Sequence, residues 1–325
     1  MLTVEPYLSV SVVIPAWNSR ETIGSCIKSF ISQLYRPCEI IVVNDGSTDD
    51  TANVAASFSS CDLPVRLISL NVNSGPAHAR NVGIRSAKGE VICFAEADGI
   101  YGITYLSRTI TALKLTGEKI YSGGILKICW RKDEHWAAFW NAIFEARWHL
   151  IMTGQIPPRG GWVFYKKSLE DVGYYDESLR QGEDTELILR LNRNGYKPSL
   201  AFRVFFYHME PQSIRDVWKR FFKAGAGGLS YRMSRGSLLQ DSFLSCVIVV
   251  CLILFPVNLI MIPVVVMTNR ESRVGWIRLL RKVRRGQITM GQAVLFPFRY
   301  FYVKLAVACG LIYGLFKRSY QMDWT

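Results

Sequence analysis

Four runs of mostly aliphatic residues, each ending at a polar turn, constrain this chain more than any other feature: SVVIPAWN, EIIVVNDGSTDDT, VRLISL and VICFAEAD. Segments with helical spacing lie between them. They include Ile23, Ile27 and Phe30 on one face, TANVAASF with Ser47 or Thr48 as its cap, and the stretch from Ala77 to Ala87. Strands that stay apolar without alternation are covered on both faces, as parallel strands are. The pattern therefore predicts an α/β chain built on a doubly wound sheet.

Such sheets bind ligands at the carboxyl ends of their strands. Asn18, Asp45, Glu96 and Asp98 all follow predicted strands and are expected along one rim. Phosphate cradles at strand ends are normally rich in glycine and present backbone N–H groups, and Asp45, Asp49 and Asp50 would repel a pyrophosphate there. A carboxylate at that place accepts instead from a ribose hydroxyl or a base N–H, and leaves phosphates to a metal ion. A turn or capping role is the plainer alternative for Asp45, since Asp-Gly forms tight turns well.

Charge separates the chain into two parts. Residues 211–325 carry 17 Lys and Arg against 4 Asp and Glu, so the whole net charge of +13 lies in the last third. The same third holds the apolar runs. Residues 243–267 contain no charge and are long enough, as a helix, to cross a hydrocarbon core of roughly 30 Å. Pro256, Asn258 and Pro263 interrupt that run and basic residues flank both of its sides, which favours a re-entrant hairpin over a simple span. The second run, around 292–316, is broken by Arg299 and Lys304 and reads either as interfacial or as a span with snorkelling ends. A basic nucleic-acid binder fits poorly, because the cations surround apolar runs and not the folded N-terminal part.

The N-terminus shows no basic region followed by an apolar segment and a cleavage site, so no cleavable signal peptide is expected. Eight cysteines occur without a CxxC pair, which points to reduced structural thiols in a cytoplasmic domain and away from zinc. The organisation expected is an α/β domain over 1–210, a basic interfacial segment over 211–242 and a membrane region over 243–325, with a basic linker at 268–291.

SVVIPAWN, EIIVVNDGSTDDT, SGPAHARNVGI, AKGEVICFAEAD, GYYDESL, GEDTELILRL and the later His208 occur in the order found in family 2 glycosyltransferases, and the chain resembles that family over about Val10 to Met233. The resemblance implies a GT-A type, Rossmann-like mixed sheet and a nucleotide-diphosphate sugar as donor. Glu96 and Asp98, with His208, would hold Mg²⁺ or Mn²⁺, hard cations that take oxygen ligands together with substrate phosphates. Pro15, Trp17, Asn18 and Asp45 would form the nucleotide wall, and Arg80 would pair with phosphate, a helix-surface salt bridge being its plainer alternative. Asp184 would be the general base of an inverting transfer, with Glu183 in support.

Two positions depart from the family pattern: Glu96 stands where an aspartate is usual, and Trp162 where the family commonly has Gly-x-Asn. These departures keep open a catalytically silent membrane protein that retains the fold for binding or scaffolding. The acceptor implied is a lipid-linked saccharide or polyprenyl phosphate, with the catalytic domain on the cytoplasmic face of the cell membrane. Trp136, Trp140, Phe144 and Trp148 recur every four residues and read first as core packing, second as a lipid-facing or sugar-stacking surface.

Overall fold

The computed structural model describes residues 7–114, 120–123, 126–129, 134–152, 163–179, 182–200, 204–208, 210, 213–227 and 270–322. It separates into two units. The first comprises Met1–Ile128 and Gly154–His208, the second Cys129–Thr153 and Met209–Thr325. The expected catalytic domain over 1–210 is thus interrupted, because residues 129–153 group with the C-terminal helices.

In the first unit the four apolar runs form β1 (Val10–Ala16), β2 (Glu39–Asp45), β3 (Val65–Leu70) and β4 (Val91–Phe94). They lie side by side and parallel in the order β3-β2-β1-β4. Every residue of β2 is buried, as a central strand covered on both faces must be. Successive side chains go to opposite faces and build two cores. Val10, Val12, Ile14, Ile40 and Val42 pack with Ile23, Ile27 and Phe30 of α1 (Ile23–Ile31). Val13, Ile41 and Val43 pack with Ala79 and Ile84 of α3 (Pro76–Ser86) on the other side. The helix between them, α2 (Thr51–Ala56), starts later than a Ser47 or Thr48 cap would place it. Asp50 occupies the N-cap position, and Asp49 Oδ1 accepts the Thr51 N–H at 3.0 Å.

The sheet continues past β4 through β8 (Val163–Tyr165), β6 (Ile120–Gly123) and β9 (Lys197–Leu200). β8 runs antiparallel to both β4 and β6, so the sheet is mixed. A second sheet joins β5 (Gly99–Tyr101), β10 (Phe205–His208) and β7 (Leu126–Cys129). The helices α4 (Tyr105–Lys114), α6 (Lys166–Asp171) and α7 (Glu183–Arg193) complete this unit.

The second unit is helical where it is described, with α5 (Glu134–Met152), α8 (Ile214–Gly227), α9 (Arg270–Arg284) and α10 (Met290–Met322). α8 packs along α10, and α5 along α9. Trp136, Trp140 and Phe144 of the α5 aromatic stripe take part in this packing. Trp136, Phe139 and Trp140 are buried with Val217, Leu279, Phe296 and Tyr300, and Trp140 stacks on Phe221 with ring centres 5.6 Å apart. The basic linker expected at 268–291 is largely the helix α9, and the second apolar segment lies within α10, which contains Pro297. No described helix is long and apolar enough to cross a membrane. The apolar run at 243–267 lies outside the described residues, as do Trp162 and most of the interfacial segment at 211–242.

Candidate active site

Parallel pairing of β1, β2 and β4 brings their carboxyl ends to one edge, where Ala16 is level with Asn44 and Val13 with Phe94. Pro15 is half-buried there and Trp17 is exposed. Asn18 follows with φ at 49°, a left-handed conformation that asparagine tolerates better than most residues. Its Oδ1 accepts the Thr48 N–H at 2.9 Å, and its own N–H donates to Ser47 Oγ at 3.0 Å, so it ties the end of β1 to the acidic turn.

Within that turn the three aspartates do separate work. Asp45, 4% exposed, accepts the Ser74 N–H at 2.8 Å on Oδ1 and the Gly75 N–H at 2.9 Å on Oδ2, which clamps β2 to the loop that begins α3. Asp49 accepts the N–H groups of Arg20 and Thr51, and Asp50 accepts the Asn53 amide. Gly46 has φ at 63°, and a Cβ there would lie 2.5 Å from the Val72 carbonyl carbon, so the turn accommodates only glycine.

β4 ends at Phe94; the Ala95 N–H still donates to the Val13 carbonyl at 3.0 Å, and beyond it the backbone groups turn elsewhere. The Glu96 N–H donates to the Tyr101 phenol at 2.7 Å, the Gly99 N–H donates to the Glu96 carbonyl at 2.9 Å, and the buried Cys26 thiol reaches the same carbonyl. This turn presents the Glu96 and Asp98 side chains. β10 runs antiparallel to β5 with His208 opposite Gly99, which carries the imidazole over them. His208 Nε2 lies 2.5 Å from Glu96 Oε2 and 3.0 Å from Asp98 Oδ1. The three ligand atoms fall within 4.8 Å of one another. Two carboxylate oxygens and one imidazole nitrogen converging at a strand edge form a donor set that a hard divalent cation can use, with Glu96 among them. Burial, reinforced by the nearby Asp98 and Glu96 charges, pushes the Cys26 thiol well up, so it supports the turn as a neutral group.

The second group of predicted residues gathers at the start of α7. Gly182 at the N-cap adopts a left-handed conformation, and Glu183, Asp184 and Glu186 fill the first turn, where the helix dipole favours acids. Arg80 of α3 meets them. Its Nη1 donates to Glu183 Oε1 at 2.8 Å and lies 3.6 Å from Asp184 Oδ1, and the guanidinium sits 5.2 Å from the centre of the Tyr175 ring. Burial opposes charge on this guanidinium, but the Asp184 and Glu183 carboxylates outweigh it and raise the Arg80 pKa further.

Sequence reasoning offered Arg80 either a phosphate or a salt bridge on the helix surface; the structure shows it 8% exposed and paired with two carboxylates. Tyr175 and Asn81 were missed. Asn81 Oδ1 accepts the Tyr175 N–H at 2.9 Å, and its Nδ2 donates to the Tyr175 carbonyl at 2.9 Å and to Glu177 Oε1 at 2.7 Å. The clue was the position of each inside the HARN and GYYDE segments, beside residues already singled out. His78 also has a partner that sequence did not suggest, since its Nδ1 lies 2.7 Å from Glu177 Oε2.

Residues 11–173 match the family described as Glycosyl transferase family 2. Glycosyltransferase AglE of Haloferax volcanii is 25% identical over 227 residues, which cover 69% of this chain and 74% of that protein. An Escherichia coli protein named UDP-Glc:alpha-D-GlcNAc-diphosphoundecaprenol beta-1,3-glucosyltransferase WfaP is 35% identical over 112 residues, covering 34% of this chain and 43% of its own length. Among solved structures, the mannosyltransferase PcManGT of Pyrobaculum calidifontis, in complex with GDP-Man and Mn²⁺, superposes with a TM-score of 0.59 over 96% of this chain and 88% of that one, at 14% identity. That likeness extends to the fold.

Proposed function

The chain belongs to glycosyl transferase family 2, and from that premise we propose that it transfers a sugar, with inversion, from a nucleotide-diphosphate sugar to a lipid-linked saccharide or polyprenyl phosphate. One observation carries this reading: Glu96, Asp98 and His208 converge within 4.8 Å where β4 ends, beside the edge formed by β1 and β2. A structural ion pair would need one carboxylate, whereas two acids and a buried histidine suit a cation that brings phosphate oxygens of its own.

When bound there, Mg²⁺ or Mn²⁺ supplies positive charge that stabilises the departing nucleotide diphosphate. The protein's residues do the rest. Asn18 and Asp45 shape the edge on which a nucleotide would lie, with Pro15 and Trp17 as its wall. Asp184, whose side chain is 36% exposed, faces solvent enough to receive a proton. As a hydroxyl of a saccharide acceptor attacks the anomeric carbon, its proton passes to the Asp184 carboxylate while the bond to the nucleotide diphosphate breaks on the opposite face; a polyprenyl phosphate attacks through an ionised oxygen and passes no proton. Glu183, 2.8 Å from Arg80, is the ion-pair partner of that cation and not a second base.

Attachment to a cell membrane, with the catalytic unit on the cytoplasmic side, belongs to the same proposal. It is supported by the charge-free run at 243–267, by the basic excess of the last third, and by the lipid-linked acceptor in the name of the Escherichia coli relative.

The test uses the full chain purified in detergent. Its melting temperature is measured with UDP-, GDP-, dTDP- and CDP-sugars, each with and without Mn²⁺. Stabilisation by one nucleotide that requires the metal, followed by nucleotide release in the presence of lipid-linked acceptor, is the expected result. Asp184→Asn should keep the first and lose the second. A folded protein that responds to none of the donors would refute the proposal.

A further inference from the structure

Arg80 occupies an unusual position for a cation near a phosphate-handling site. It is buried within the first unit, and its reach is taken up inside the protein. The guanidinium lies 2.8 Å from Glu183 and 3.6 Å from Asp184, and its carbon sits over the Tyr175 ring. The Tyr175 phenol, also buried, hydrogen-bonds the Asp184 carboxylate. The neighbouring Asn81 fixes the Tyr175 backbone from both sides, through its N–H and its carbonyl. Two adjacent residues of α3 therefore grip the helix that carries Asp184 and the tyrosine that touches it.

The charges divide unevenly. Glu183, with 10% of its side chain exposed, takes the short contact and neutralises Arg80, while Asp184 receives the longer one and stays open to solvent. The groups set against Asp184 include the Arg80 cation from α3, the Tyr175 hydroxyl from the segment before α7, and the Glu183 anion beside it. A cation a few ångströms away and a hydroxyl donor both favour the ionised carboxylate over the protonated one. Both also limit the directions in which it can rotate.

We propose that Arg80 and Tyr175 are positioning residues that keep Asp184 ionised and aimed at the acceptor, and that Arg80 does not bind the donor's phosphates. The inference rests on Asp184 being the general base. Removing the cation leaves Glu183 buried without its partner and lets Asp184 take up a proton more readily. The acid limb of the pH–rate profile then moves to higher pH by about one unit, the lower end of what a close opposite charge produces, because Asp184 is partly solvated. Tyr175→Phe should move it in the same direction by less.

The experiment measures kcat and KM against pH for the full-length wild type and for Arg80→Gln, Arg80→Lys, Tyr175→Phe and Asp184→Asn. Affinity for the nucleotide diphosphate that stabilises the wild type is measured alongside by calorimetry. For Arg80→Gln the inference expects a raised acid limb, a lower kcat and nucleotide affinity within about twofold of wild type. Arg80→Lys should restore much of the limb, since it restores the charge, but not the full kcat, since it lacks the planar fork. A tenfold loss of nucleotide affinity with the acid limb unmoved would overturn the inference and make Arg80 a phosphate ligand. Should Arg80→Gln fail to fold, Tyr175→Phe decides: a folded variant with an unmoved limb overturns it equally. Asp184→Asn separates the two levels of the reading. Retained turnover in that variant sinks the assignment of the base, whereas lost turnover with unmoved limbs in the other variants sinks only the positioning role.

Discussion

Asp45→Asn is the substitution that best separates a structural from a ligand-binding role in the acidic turn. Asp45 is buried and uses both carboxylate oxygens, on the N–H groups of Ser74 and Gly75 at 2.8 and 2.9 Å. Asparagine keeps one acceptor and points an NH₂ group at the second donor. One charge-assisted hydrogen bond is lost, worth about 1.5–3 kcal/mol, the other is weakened to a neutral one, and a buried N–H is left facing another donor. These costs overlap, so we expect a net destabilisation of about 2–4 kcal/mol, or roughly 5–10 °C in Tm.

Gly75 is the N-cap of α3, at φ 97°, so the loss should be felt first where that helix begins. The assay is thermal melting of the variant without any nucleotide, together with amide hydrogen exchange across residues 72–79. Faster exchange in that segment and a lower Tm are expected. A Tm within about 1 °C of wild type, with exchange unchanged, would refute the clamp and return Asp45 to a purely donor-facing role.

Gly83→Ala should destabilise the fold even though alanine is the better helix former. The new Cβ would sit 2.3 Å from Val13 Cγ1, in a fully buried contact between α3 and β1, and overpacking of about 1–3 kcal/mol exceeds a propensity gain of about 1 kcal/mol. Adding Val13→Ala should reverse the sign, and chemical denaturation of the three variants checks both. Glu39 is buried, and burial alone would push its pKa up; hydrogen bonds from the Lys88 N–H, Ser11 and Arg66 outweigh this and hold it below the usual carboxylate range. A lowered folded pKa contributes stability that is full above the ordinary carboxylate value and is lost as pH falls through the lowered one. Glu39→Gln should therefore reduce stability at neutral pH and flatten its decline toward pH 3, as read from melting temperature against pH. For the metal site, Asp98→Asn and His208→Ala should each weaken Mn²⁺ binding by about tenfold or more in calorimetric titration, and affinity unchanged in both would show that the cluster holds no cation.

The strands were legible because burial on both faces leaves a local mark. EIIVVND has no room for polar alternation, and it forms a strand with every residue buried. The ends of elements were less legible. VICFAEAD reads as one run, yet β4 stops at Phe94, since the Glu96 N–H is claimed by a phenol at Tyr101 that no periodicity announces. The acidic turn was legible as a cluster of carboxylates at a strand end, but the partners of Asp45 lie about thirty residues away, in a loop whose approach depends on α3 packing against β1 and β2.

By itself, the sequence determined the four parallel strands β1 to β4, the edge at which their carboxyl ends lie and the residue types available there, because hydrophobic periodicity and strand-end chemistry are properties of neighbours along the chain. Tertiary structure alone decided who meets whom. His208 reaches Glu96 and Asp98 only through the antiparallel pairing of β10 with β5, and Arg80 faces Glu183, Asp184 and Tyr175 only because α3 and α7 pack into the same core. The physical reason is range. Patterning acts over a few residues, whereas the contacts that assign a buried charge its role join residues about a hundred positions apart.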